Sequence, residues 1–253
     1  MSMPDDHSLP RPNPRFEERA TTPIRSAAVH WLEQVWLVTR KDFQIELRTG
    51  EVVVTGGFLG VLLTVVSSLA YYMGPQTRNQ VAAGVIWIAT TFAAVLSLSR
   101  TWQREREEGN LDALVVSPLS PSALYFGKAI GVLGFLFAIE CVVAPLSALL
   151  FAIDLVEYGP GLLLISLLAI PGVAASGTLF GVMTVRTRAR DLVLSICLFP
   201  LLAPTLLAAT VATREMFAGA PVSELVDYLQ IMALFDLVFI VGGAGLFGTL
   251  AEQ

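Results

Sequence analysis

The sequence predicts an all-α membrane protein. Six transmembrane helices place both termini in the cytoplasm, an amphipathic helix precedes the first span, and a short cytoplasmic helix lies between spans two and three. Three observations predict this. Apolar residues make up 55% of the 253 residues and charged residues 15%, where a soluble domain carries roughly 25% charged residues. Six runs reach the length of about 20 apolar residues that a bilayer-spanning helix needs. Lys and Arg are distributed unevenly between the segments that join those runs, which sets the orientation.

Residues 1–28 are rich in Pro and charge, with Pro4, Pro10, Pro12, Pro14 and Pro23, and read as a disordered cytoplasmic tail. Over residues 29–48 the pattern turns helical. Leu32, Trp36, Phe43 and Leu47 fall near one face, and Arg40, Lys41, Asp42 and Glu46 lie elsewhere. This suits a helix lying in the inner interface, with Trp31 and Trp36 at headgroup level. A soluble helix packed on a partner is the other reading.

Residues 49–253 form the transmembrane domain. Its apolar runs are 52–73, 81–99, 129–153, 158–185, 192–213 and 228–251. Backbone polar groups in lipid are satisfied within the segment, so these runs are helices. Period-two alternation is absent, which argues against a β-barrel. With the N-terminus inside, only Arg78 and Arg214 of the 16 Lys and Arg fall outside. The outer loops are short, so partners dock from the cytoplasm. The net charge of −5 excludes a basic nucleic-acid-binding surface.

Two ionisable residues interrupt the runs. Glu140 lies near the centre of span three and Asp236 about a third of the way into span six. A charged group at that depth costs about 2.5–3.5 kcal/mol on insertion scales, so it faces protein or a cavity. Glu140 either lines a polar path or couples to a partner subunit, or it is a hydrogen-bonded structural tie. Asp236 suits a water-reaching or helix-pairing role. Gly56-x-x-x-Gly60, Gly127-x-x-x-Gly131 and Gly177-x-x-x-Gly181 allow close helix approach. Pro145, Pro171, Pro200 and Pro204 imply kinks, and the pair Pro200 and Pro204 is a candidate hinge.

The chemistry that is missing narrows the function. Cys141 and Cys197 cannot build a disulfide framework or a four-ligand metal site. His7 and His30 precede every span, so no imidazole reaches the membrane for metal, haem or nucleophilic chemistry. No Gly-x-x-x-x-Gly-Lys-Ser/Thr motif is present: Gly127-Lys128 is followed by Ala129, and position 122 is Ser. ATP cannot be bound through a P-loop.

The segment 100–128 carries the strongest functional signal. A charged run, Arg104-Glu105-Arg106-Glu107-Glu108, meets Gly109-Asn110. A short helix-like turn over Leu111, Asp112 and Leu114 follows, ended by Pro118 and Pro121. Ser120 or Ser122 is placed to cap the helix that leads into span three. By composition this is an amphipathic loop closing the cytoplasmic face, or an element that passes force to the spans.

The order Glu-Glu-Gly-x-Leu-Asp-x-Leu-x-x-x-Pro, then Gly127-Lys128, resembles the permease subunits of ABC-2-type exporters, and within them the CcmB family. Three further segments carry the resemblance: Gly84-Val85-Ile86-Trp87-Ile88-Ala89 running to Leu96-Ser97-Leu98-Ser99-Arg100; Gly181-Val182 before a basic turn; and Leu194-Ser195-Ile196 with Pro200-Leu201-Leu202-Ala203-Pro204. The resemblance covers the chain from about residue 29 onward. It implies a non-enzymatic permease subunit of cytochrome c maturation in the inner (cytoplasmic) membrane. Glu107, Glu108, Gly109, Leu111, Asp112, Leu114 and Pro118 would couple it to a CcmA-like ATPase on the cytoplasmic face. CcmC-like and CcmD-like membrane partners are implied, with haem handled by the complex and no cofactor bound directly to this chain. A generic ABC-2 exporter of lipid, drug or polysaccharide and a non-transporting membrane scaffold are the alternatives. The short loop 74–80 favours the first of the three readings over the generic exporter.

Overall fold

The computed structural model describes residues 31–70, 75–107, 119–184 and 190–251. These form seven α-helices: α1 (Trp31–Thr49), α2 (Glu51–Ala70), α3 (Pro75–Glu107), α4 (Pro121–Leu150), α5 (Leu155–Thr184), α6 (Arg190–Phe217) and α7 (Val226–Ala251). A single 3-10 turn, Val222–Glu224, precedes α7, and no strand occurs among the described residues. Helices α2 to α7 are each long and apolar enough to cross a membrane.

Local chemistry sets the helix ends. Ser120 caps α4, its Oγ accepting from Ala123 N at 3.3 Å, and Pro121 occupies the first turn, where its missing N–H costs nothing. The helix therefore starts eight residues before the apolar run at 129. Asp154 caps α5 by accepting from Val156 N at 2.8 Å and Glu157 N at 3.3 Å. Gly50, at φ +62, turns the chain between α1 and α2, a backbone region that costs glycine little. Pro145, Pro171, Pro200 and Pro204 all lie inside continuous helices.

Helices α3 and α5 form the centre of the bundle, and α2 and α7 are its most exposed spans. The core is layered along the bundle. Trp87, Phe151, Ile165, Met216 and Met232 fill one end. Leu98, Leu136, Ile170 and Leu202 fill the middle. Trp102, Tyr125, Leu179 and Phe247 fill the other end. Outward stripes such as Phe58, Leu62, Val66 and Leu69 on α2 are exposed, as suits side chains that meet lipid.

The glycine pairs lie where helices meet. A Cβ on Gly56 would come 2.7 Å from Ile139 Cδ1, one on Gly60 2.7 Å from Val143 Cγ2, and one on Gly127 2.6 Å from Val38 Cβ. Leu98 lies against Gly177, and Trp102 against Gly181. These approaches bring α2 and α1 onto α4, and α3 onto α5.

Helix α1 runs alongside α4 in the same chain direction. Trp31 meets Ser122 and Phe126, Val38 meets Gly127, and Phe43 meets Phe135. Leu32, Trp36 and Leu47 stay exposed. Phe43 departs from that expected stripe and packs edge-on against Phe135 at 5.4 Å, over Gly134. The face buried within the protein is Val35, Val38, Thr39, Asp42 and Glu46. The physical reason is steric: the Gly127 and Gly131 groove admits only small approach distances, and that face of α1 fits it. Gly127→Val is expected to separate α1 from α4, with a loss of about 1–3 kcal/mol from overpacking. Thermal unfolding of the detergent-solubilised chain measures it, and an unchanged midpoint would count against this packing.

Candidate functional site

The segment that the sequence singles out is bounded by α3 and α4. Glu107 is the last residue of α3. Glu108, Gly109, Leu111, Asp112, Leu114 and Pro118 lie outside the described residues. What the structure defines is how the flanking helix ends are held.

The start of α4 is gripped by α1. Gln34 Oε1 accepts from Ser120 N at 2.9 Å and from Ser120 Oγ at 3.1 Å. Trp31 Nε1 donates to Ser122 Oγ at 3.1 Å. Further along, Lys128 Nζ reaches Asp42 Oδ1 at 3.0 Å and Oδ2 at 2.9 Å. The Lys128 side chain is 2% exposed and that of Asp42 6%, so this ion pair is buried between helices. Thr39 Oγ1 lies 2.9 Å from Val35 O and 3.1 Å from Gly127 O. Glu46 Oε1 accepts from Val53 N at 2.8 Å in the first turn of α2. The α1 carboxylates thus tie two spans together.

Tyr125 adds a second tie at the same end of the bundle. Its hydroxyl donates to Phe239 O of α7 at 2.7 Å, with Ala175 O at 3.3 Å. Tyr125→Phe removes the donor and leaves a buried carbonyl short of a partner. A loss of about 1 kcal/mol is expected, read as a shift in the thermal midpoint. No measurable shift would show that these carbonyls do not depend on Tyr125.

Deeper in the bundle, Glu140 on α4 is 5% exposed. Its Oε1 accepts from Ser166 Oγ of α5 at 2.6 Å, and Ser166 Oγ also lies 2.9 Å from Leu162 O. Oε2 is buried and has no hydrogen-bond partner among the described residues. Glu140 and Ser166 line a cavity of about 270 Å³ with Phe137, Cys141, Gly159 and Leu163. Asp236 on α7 sits against Gly172 of α5, beside Phe235. Ser166 and Gly172 are separated by about 9 Å of helix rise, so the two carboxylates meet α5 at different levels. Pro200 and Pro204 are both on the exposed side of α6.

Sequence reasoning missed the Asp42–Lys128 pair, Ser166 and the Tyr125 tie. A signal for the first was present: Lys128 follows Gly127 at the small-residue face, and Asp42 shares a helical face with Val35, Val38 and Thr39. Nothing in the sequence pairs Ser166 with Glu140.

Six apolar spans, with Glu140 buried among them and Asp236 half-buried, define a multi-pass α-helical membrane protein. A family model described as CcmB protein matches residues 33–243. The chain belongs to the CcmB family. It is similar to the Heme exporter protein B of Paracoccus denitrificans, at 31% identity over 78% of this chain and 90% of the relative. The Heme exporter protein B of Rhodobacter capsulatus is 29% identical over 71% of this chain and 82% of its own length. That of Bradyrhizobium diazoefficiens is 26% identical over 80% and 90%.

Proposed function

We propose that this chain is the membrane permease subunit of an ABC-type complex for cytochrome c biogenesis, driven by a separate ATPase. The observation that carries the reading is the similarity, over 71–80% of this chain, to relatives named Heme exporter protein B. In this reading both termini are cytoplasmic and α1 rests at the inner interface. A CcmA-like ATPase presses on Glu107, Glu108, Gly109, Leu111, Asp112, Leu114 and Pro118. CcmC-like and CcmD-like subunits lie beside the spans. Haem is cargo handled by the complex, and this chain holds no cofactor of its own.

The helix contacts suggest how force would travel. A push between α3 and α4 moves both helix ends. Leu98 and Trp102 carry it from α3 to α5 through Gly177 and Gly181. Trp87 Nε1 donates to Thr213 Oγ1 at 2.9 Å and carries it to α6. Helix α1 moves with α4 because Gln34, Asp42 and Thr39 hold it there. Pro200 and Pro204 remove two backbone donors from α6 and would serve as its hinge. Unchanged transport after replacing both with Ala would count against the hinge.

Deletion of the gene, followed by haem staining of c-type cytochromes, tests the function. Loss of stained cytochromes, restored by the intact gene, is expected. Normal staining would overturn the reading. Co-purification with an ATPase separates a permease from a passive scaffold.

A further inference from the structure

We propose that the cavity between α4 and α5 receives a Lys or Arg side chain from a transmembrane helix of a different subunit, paired with Glu140. The proposal rests on the reading that the chain works within a membrane complex, and it names one contact of that complex.

The first argument is the unfinished pairing of Glu140. The residue is 5% exposed, and Ser166 satisfies Oε1 alone. Oε2 is buried without a hydrogen-bond partner among the described residues, and Glu140 is one of the residues that line an open cavity. Ionisable groups within membranes are costly and pair with one another. A cavity of about 270 Å³ falls just below the roughly 300–1,000 Å³ of ligand pockets. It suits one long side chain better than a whole ligand.

The second argument is depth. Glu140 is ten residues from the Leu150 end of α4, about 15 Å along the helix. That is half the roughly 30 Å hydrocarbon thickness. A lipid headgroup ammonium sits at the interface and does not reach this level. A crossing helix carries a side chain to any depth.

The third argument favours a different subunit over a second copy as the source of the cation. Helices α2, α5 and α7 contain no Lys or Arg. Arg40, Lys41 and Arg48 belong to α1, which precedes the first span; Arg78, Arg104, Arg106, Arg190 and Arg214 lie near the ends of α3 and α6; and Lys128, in the first part of α4, is already engaged by Asp42. Among the described residues, Arg100 is the basic residue nearest the level of Glu140, since Ser97 and Ile139 meet the same Gly56, and it is paired with Glu51 at 3.4 Å. The neighbouring surface is ready for a helix: Cys141, Val142, Pro145 and Leu149 form an exposed stripe on α4 beside exposed Leu163 on α5.

The test uses the full chain expressed with its native partner subunits. A photo-crosslinking amino acid replaces Leu163, and adducts are sequenced by mass spectrometry and normalised to chain in the membrane. The expected adduct is a transmembrane peptide of another subunit with Lys or Arg within about one helical turn of the linked residue. Glu140→Lys should lower its yield about tenfold or more, and reversing the partner's basic residue to Glu should restore most of it. Glu140→Gln, which preserves shape, should lower it severalfold and serves if the Lys variant fails to accumulate. Adducts to lipid alone, to a second copy, or to a peptide without a basic residue would overturn the proposal, as would full yield from Glu140→Gln. ATPase co-purification is scored in parallel. The expected adduct without an ATPase keeps this contact and rejects the permease reading; an ATPase without that adduct does the reverse.

Discussion

Asp42→Leu is expected to destabilise the protein by about 3–5 kcal/mol, because it removes one member of a buried ion pair. Lys128 engages both carboxylate oxygens, at 3.0 and 2.9 Å, and is almost wholly enclosed by protein. Lys128→Met should cost less. Lys41 Nζ lies 3.4 Å from Asp42 Oδ1, and its side chain is 36% exposed, so the carboxylate keeps a partly hydrated partner. The double variant Asp42→Leu with Lys128→Met should be more stable than Asp42→Leu alone, since neither charge then remains. Denaturation midpoints of the four proteins in one detergent give the cycle. Strict additivity would show that the two residues are not coupled. Because the pair holds α1 to the first part of α4, the same variants should also weaken any response of α4 to an ATPase.

Trp87→Ala is the second large effect, about 3–5 kcal/mol for truncating a buried aromatic. Trp87 is 1% exposed and donates to Thr213 across the α3–α6 contact. Two milder variants separate volume from hydrogen bonding. Trp87→Phe retains most of the ring packing and loses the donor. Thr213→Val retains the shape and leaves a buried indole N–H without its acceptor, at about 1–3 kcal/mol. Thermal unfolding should therefore order them Trp87→Ala as the worst, with both milder variants above it. If Thr213→Val matches the parent, the bond contributes nothing and only the ring matters.

Much of the architecture was legible in the sequence. The gaps between charged residues located all six spans. Ser120 or Ser122 was expected to cap the helix leading into span three, and Ser120 does so, because capping chemistry is local. The three glycine pairs marked close helix approaches, because only small residues permit them. The orientation of α1 was harder to read. Its apolar stripe was expected to face the membrane interface, and Leu32, Trp36 and Leu47 of that stripe are exposed; the more polar face that packs within the protein was not read. In water an apolar face seeks the core. Beside a membrane it can remain exposed, and a polar face can pack on protein if its charges are paired.

The same limit applies to the two membrane carboxylates. Their positions in the sequence identified Glu140 and Asp236 as exceptional, since ionisable groups are costly in lipid whatever surrounds them. Ser166 as the donor to Glu140, and Gly172 as the notch for Asp236, depend on which faces α4, α5 and α7 turn toward one another. What the sequence determined by itself was the number of spans and where their apolar runs fall, because hydropathy acts over a few residues. The tertiary structure decided which charges meet. Asp42 and Lys128 are 86 residues apart, and only the packing of α1 into the Gly127 groove brings them within bonding distance.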